Sequence, residues 1–211
     1  MKVARALLPF LTVATLFILT GIVLVLITDK HQLHLAINAQ TGGTADQFFA
    51  FYTHIGDGIV VPIIIILACL LYRKNFLSNF ALGITTFALS GLLAQFFKRI
   101  VFADYLRPSK VLEGKLKLIE GVELHGAHTF PSGHSTVSFA LFIFLAFLFK
   151  KYRWAQVTCA ILAVLAAYSR VHISQHFVED IVAGAFLGVT CFFLFRWVYD
   201  TYVFKGKLGV E

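Results

Sequence analysis

Two stretches of this chain, Ala6 to Thr28 and Phe76 to Phe97, contain no charged side chain at all. A helix rises about 1.5 Å per residue, so roughly 20 apolar residues cross a hydrocarbon core and both runs are long enough. Composition agrees: of 211 residues 59% are hydrophobic, 23 are phenylalanine, and only 14% are charged. A mean hydropathy of +0.83 places the chain among integral membrane proteins. Lys2 and Arg5 resemble the flank of a signal peptide, but the run that follows overshoots a signal's apolar region and lacks a clear small-residue cleavage site. It reads as a retained first helix.

The remaining spans are shorter or interrupted. Residues 51–72 contain His54 and Asp57, 134–149 are nearly all apolar, 154–169 are alanine-rich, and 181–198 are broken by Arg196. With 6–28 and 76–97 they predict an all-α, six-helix transmembrane bundle forming one domain over 1–211. Lys2, Arg5, Arg73, Lys74, Lys150, Lys151, Arg153, Lys205 and Lys207 fall on one side of that bundle, which predicts cytoplasmic termini. The link from Lys98 to Phe130 breaks this bias with Lys98, Arg99, Arg107, Lys110, Lys115 and Lys117, a sign of an anionic partner on the other side. Topology and anionic lipid headgroups account for the rest of the +7 net charge, so no nucleic-acid partner is expected. Cys69, Cys159 and Cys191 sit in separate spans and read as small buried hydrophobes. Gly184 and Gly188 form a Gly-x-x-x-Gly pair expected to pack within the bundle.

The six-span topology sends several ionisable residues to one membrane face. Lys98 ends span three, Pro131-Ser132-Gly133-His134 opens span four, Arg170 ends span five, and His176 with Asp180 opens span six. Charged and titratable groups at such places are costly and mark function. Pro131 suits a first helical turn, leaving the Ser132 and Gly133 N–H groups to face an anion. By itself that is an ordinary helix start; His134 beside it moves the reading towards chemistry. His176 and Asp180 are four residues apart, so on a helix the carboxylate can hold the imidazole Nδ1–H and leave Nε2 as a lone-pair donor. Arg170, aimed at the same face, adds an anion clamp.

Together, Ser169-Arg170, five residues, His176, three residues and Asp180, with Pro131-Ser132-Gly133-His134, resemble the third and second motifs of the type 2 phosphatidic acid phosphatase superfamily. The first motif of that superfamily is a lysine, six residues, then Arg-Pro. Here Arg107-Pro108 fits, but eight residues separate it from Lys98 and seven from Arg99. Lys98 is the preferred counterpart, the extra residues being absorbed where a helix passes into a loop. The resemblance covers roughly Phe76 to Val198. It implies that His176 attacks phosphorus, Asp180 orients it, and His134 serves as acid and then base. It further implies that Lys98, Arg107, Arg170 and the Ser132 and Gly133 groups bind the phosphoryl oxygens, and that neither metal nor other cofactor takes part.

His125 and His128, near Glu123, could form a weak metal site, but a solvated loop or headgroup contact is the better reading. His172 reads as a capping or packing residue; His54 and Asp57 read as site rim or interface. Phe139, Phe142, Phe144, Phe147 and Phe149 read as lipid-facing or core, with a groove for an acyl or prenyl chain as the secondary reading. A site at the membrane boundary fits a lipid phosphate monoester or pyrophosphate such as phosphatidate, phosphatidylglycerol phosphate, undecaprenyl pyrophosphate or a lipid A phosphate. The expected setting is a bacterial inner membrane with the site facing the periplasm. Two alternatives remain: a lipid phosphotransferase using the same intermediate, and an anion transporter or binding protein, which would need no nucleophile. The sequence leaves oligomeric state open.

Overall fold

A computed structural model describes residues 2–203 of the chain, and among them all regular structure is helical. Lys205 and Lys207, which contribute to the charge bias, lie outside the described residues, as does the side chain of Lys2. The helices are α1 (Lys2–Ala6), α2 (Leu8–Ile27), α3 (Lys30–Asn38), α4 (Thr44–Tyr52), α5 (Val60–Tyr72), α6 (Phe76–Phe96), α7 (Pro108–Val111), α8 (Gly133–Leu148), α9 (Arg153–His172) and α10 (Val178–Val198). Four are long and apolar enough to cross a membrane: α2, α6 with its extension to Val101, α9, and α10 with its extension to Tyr202. A fifth candidate is the pair α4 and α5, bent by 70° at a short break. The sequence reads residues 51–72 as one span interrupted by His54 and Asp57; in the structure a 3₁₀ turn at Thr53–Gly56 and the following Asp57-Gly58 separate α4 from α5.

Two apolar helices meet different surroundings. On α2, Leu16, Leu19, Val23, Leu26 and Ile27 are exposed, so its apolar character faces outward, as lipid requires of a peripheral span. On α8 every residue from Ser135 to Leu148 is buried except Leu145. A helix that is apolar all round and enclosed by its neighbours forms the centre of a bundle. The phenylalanines of α8 are therefore core: Phe139, Phe142, Phe144 and Phe147 are buried and Phe149 is half-buried, which removes the lipid-facing reading.

Gly184 and Gly188 bring α10 against α8. A Cβ at Gly188 would stand 2.3 Å from the Thr136 carbonyl oxygen, and one at Gly184 2.6 Å from that of Ser132. The pair is thus occupied within the bundle, and it draws the start of α10 onto the start of α8. Arg196 does not break α10: the helix runs through it to Val198, its guanidinium lying over the Phe147 ring at 5.0 Å and its Nη1 2.7 Å from Asp200 Oδ1. The three cysteines are free and buried.

Candidate active site

Helix ends and loops carry the polar residues to one end of the bundle. The end of α6 winds into a π turn over Phe97–Val101, closed by a Phe102 N–H bond to the Phe97 carbonyl at 2.8 Å. Such a turn holds one residue more than an α turn, which accounts physically for part of the lengthened Lys98–Arg107 spacing. The turn also separates the two candidate cations. Lys98 is buried, whereas Arg99 is exposed and donates to Gln95 Oε1 at 3.2 Å. Lys98 is therefore the residue directed into the protein.

Arg107 precedes α7 and is buried together with Pro108. Its Nε donates to the Ala127 carbonyl at 2.9 Å, and its Nη1 to Gln175 Oε1 at 2.5 Å and to the Gln175 carbonyl at 3.3 Å. All these acceptors are neutral, so the guanidinium is fixed in place with its charge uncompensated by them. Arg170, near the end of α9, is likewise buried; its Nη1 donates to Thr53 Oγ1 at 2.7 Å. Its Nε has no hydrogen-bond partner among the described residues. The other basic residues of the 98–130 link stay outside this group: Lys110, Lys115 and Lys117 are exposed.

The start of α8 differs from expectation at two residues. Ser132 is the N-cap and Pro131 lies before it, so Pro131 is not in the first helical turn. The Ser132 N–H does not face an open anion site, because it donates to the Asp180 carbonyl at 3.0 Å. That bond ties the two motifs together. Ser132 Oγ accepts from the Ser135 N–H at 3.3 Å and from the Ser135 hydroxyl at 3.1 Å, leaving its own proton to donate. Gly133 and His134 begin the helix, where backbone N–H groups lack intrahelical partners.

Between α9 and α10 the chain turns tightly. The Arg170 carbonyl accepts from the Gln175 N–H at 2.9 Å and the His176 N–H at 3.1 Å, which fixes Arg170 and His176 relative to one another. His176 Nδ1 lies 3.1 Å from Asp180 Oδ2 and 3.1 Å from Thr129 Oγ1, and Thr129 in turn donates to the same carboxylate oxygen. The Phe177 N–H donates to it as well, at 2.9 Å. Both side chains of the pair are almost completely buried. Burial holds His176 well below the usual histidine pKa, and Lys98, Arg107 and Arg170 push it in the same direction. The ring is therefore neutral, with Nδ1 engaged and Nε2 left as the free lone pair.

The structure thus brings Lys98, Arg107, Ser132, Gly133, His134, Arg170, His176 and Asp180 to one end of the bundle. Four further residues reach the same place. Asp57, only weakly singled out by sequence, contacts His134 Nε2 through Oδ1 at 2.9 Å. Thr129, Gln175 and Thr53 hold His176, Arg107 and Arg170, and no sequence pattern marks them. His172, in contrast, is buried against Asp46, its Nε2 2.8 Å from Oδ1. His125 and His128 are exposed on their loop, and among the described residues no three His, Cys, Asp or Glu side chains gather as metal ligands.

The chain is similar in sequence and in fold to known membrane proteins. The lipid A 1-phosphatase of Rhizobium etli is 36% identical over 105 residues, 49% of this chain and 43% of that protein, so the chain spans less than half of that relative's length. Phosphatidylglycerophosphatase B of Bacillus subtilis is 28% identical over 155 residues, covering 68% of this chain and 70% of the relative. In fold, the crystal structure of Aquifex aeolicus LpxE superposes with a TM-score of 0.68 at 24% identity, covering 81% of this chain and 96% of that one. A transmembrane PAP2-type phosphatidylglycerolphosphate phosphatase from Bacillus subtilis gives 0.64 at 22% identity over 95% and 97% of the two chains. Residues 79–203, which carry every motif described above, match the PAP2 superfamily as a whole. This all-α membrane protein belongs to the PAP2 superfamily.

Proposed function

We propose that the protein is a lipid phosphate phosphatase working through a phosphohistidine on His176. The observation that carries this reading is a neutral, buried histidine, held at Nδ1 by Asp180 and Thr129, within the field of three buried cations. Lys98, Arg107 and Arg170 would bind the non-bridging oxygens, joined by the Ser132 hydroxyl and the N–H groups opening α8. His176 Nε2 attacks phosphorus while the bond to the leaving oxygen breaks, and His134 gives that oxygen a proton. Water then attacks the phosphohistidine, His134 takes its proton back, and the P–N bond breaks to release phosphate and neutral His176. Each proton is accounted for by a side chain of the protein, so the scheme runs without a metal.

The substrate class follows from position. A site at helix ends, beside apolar spans, receives a phosphate headgroup while its tail stays in the bilayer, and the named relatives act on lipid phosphates. In this reading residues 1–211 form one domain of six spans, with α4 and α5 as one bent span and α8 as a short, central sixth. The termini are cytoplasmic and the site faces the periplasm of a bacterial inner membrane. The test is a substrate panel with the full chain in detergent and chelator. Lipid phosphate monoesters or pyrophosphates should release orthophosphate far faster than soluble esters. Preference for a soluble ester overturns the lipid assignment, and activity lost to chelator overturns the metal-free scheme.

A further inference from the structure

Asp57 belongs to neither histidine motif, yet it contacts one of the site histidines directly. It lies in the break between α4 and α5, just after the turn Thr53–Gly56. That turn is seated against α8 because Gly56 has no side chain: a Cβ there would stand 2.8 Å from Ser138 Oγ and 3.2 Å from both the His134 carbonyl oxygen and its Cδ2. The turn supplies the site twice over, with Thr53 bonded to Arg170 and Asp57 to His134. The second carboxylate oxygen of Asp57 is 2.6 Å from Nδ1 of the exposed His54, so the carboxylate is held from both sides.

We infer that Asp57 is the positioning carboxylate of His134, holding its Nε2–H so that Nδ1 is the atom that gives and takes the proton at the reacting oxygen. This rests on the reading of His134 as acid and base. The charged groups facing His134 are Asp57 from the break before α5, Arg170 from α9 and Lys98 from the end of α6. The two cations, needed for the phosphoryl group, oppose the imidazolium that His134 must become to act as an acid. Asp57 is the group that opposes them, and a carboxylate bonded to an imidazolium makes a charge-assisted bond stronger than the neutral one. The contact also fixes which ring nitrogen carries its proton throughout the cycle, the service a second carboxylate gives to metal-bound histidines.

The test uses a matched substrate pair with the same alkyl tail, one an alkyl phosphate and one a nitrophenyl phosphate. The alkoxide needs a proton to leave; nitrophenolate does not. In Asp57→Asn, kcat/KM for the alkyl phosphate should fall by about 10- to 100-fold, with a much smaller loss for the nitrophenyl phosphate. His134→Ala should change the ratio in the same sense and further, while His176→Ala should lose both substrates alike. Asp57→Glu should recover part of the alkyl rate. Because both rates come from one preparation, their ratio is independent of the fraction folded. Equal losses on the two substrates, or no loss, overturn the assignment of Asp57. A wild-type protein inactive on both overturns the phosphatase reading itself and this inference with it, and that result is recognisable without any variant.

Discussion

The two histidine–aspartate pairs are built in opposite ways. His176 and Asp180 come from one helix start, four residues apart, with side-chain exposures of 1% and 0%. His134 and Asp57 are 77 residues apart in sequence, one at the start of α8 and the other in the break before α5, and remain 31% and 37% exposed. The first arrangement suits the nucleophile proposed for His176: desolvation keeps the ring neutral, and three donors to one carboxylate oxygen keep that oxygen from turning. A group that exchanges protons with a leaving oxygen and then with water benefits from the second, because it must change charge twice per turnover.

The largest expected effect breaks the comparison at its buried side. His176→Ala should lower kcat on the order of 10⁴-fold or more for every phosphate ester, as removal of a nucleophile does elsewhere. His134→Ala should lower kcat/KM, which reports the steps up to leaving-group departure, by about 10²- to 10⁴-fold on alkyl esters and much less where the leaving group needs no proton. Parallel kinetics of the two variants on alkyl and nitrophenyl phosphates check this, and identical substrate dependence in both would erase the distinction between the pairs.

A smaller effect concerns pH. A neutral imidazole attacks and a protonated one does not, and burial with the three cations keeps His176 well below the usual value near 6.5. The acid limb of the pH profile owed to His176 should therefore lie well under pH 6.5. Lys98→Met removes one of those cations and should move the limb upward as it weakens substrate binding. An unmoved limb would mean that Lys98 does not act on the nucleophile.

The same contrast explains what could be read from sequence. The His176–Asp180 pair was legible because a four-residue spacing on a helix fixes geometry locally. The convergence of Lys98, His134 and Arg170 on it was legible because apolar runs alternate direction across a membrane. Long-range contacts leave no such mark. Asp57 reaches His134 only because α4 and α5 bend at a break inside what the sequence reads as a single span. Thr129, Thr53 and Gln175 are ordinary polar residues until the fold brings them beside His176, Arg170 and Arg107. The Ser132 N–H looked free because a helix start leaves it so, and only the packing of α10 through Gly184 reveals the Asp180 carbonyl that takes it. The long first-motif spacing likewise made sense once α6 ended in a π turn.

The central claim is that phosphorus is carried on His176. Quenching the full-length protein with denaturing detergent at alkaline pH during turnover of a ³²P-labelled lipid phosphate or nitrophenyl phosphate, followed by peptide mapping under the same alkaline conditions, which preserve phosphohistidine, tests it directly. The account predicts label on the peptide containing His176, increased in His134→Ala when a nitrophenyl ester is used, because the intermediate then lacks its base for hydrolysis. Full turnover by His176→Ala, or label on any other residue, would contradict it.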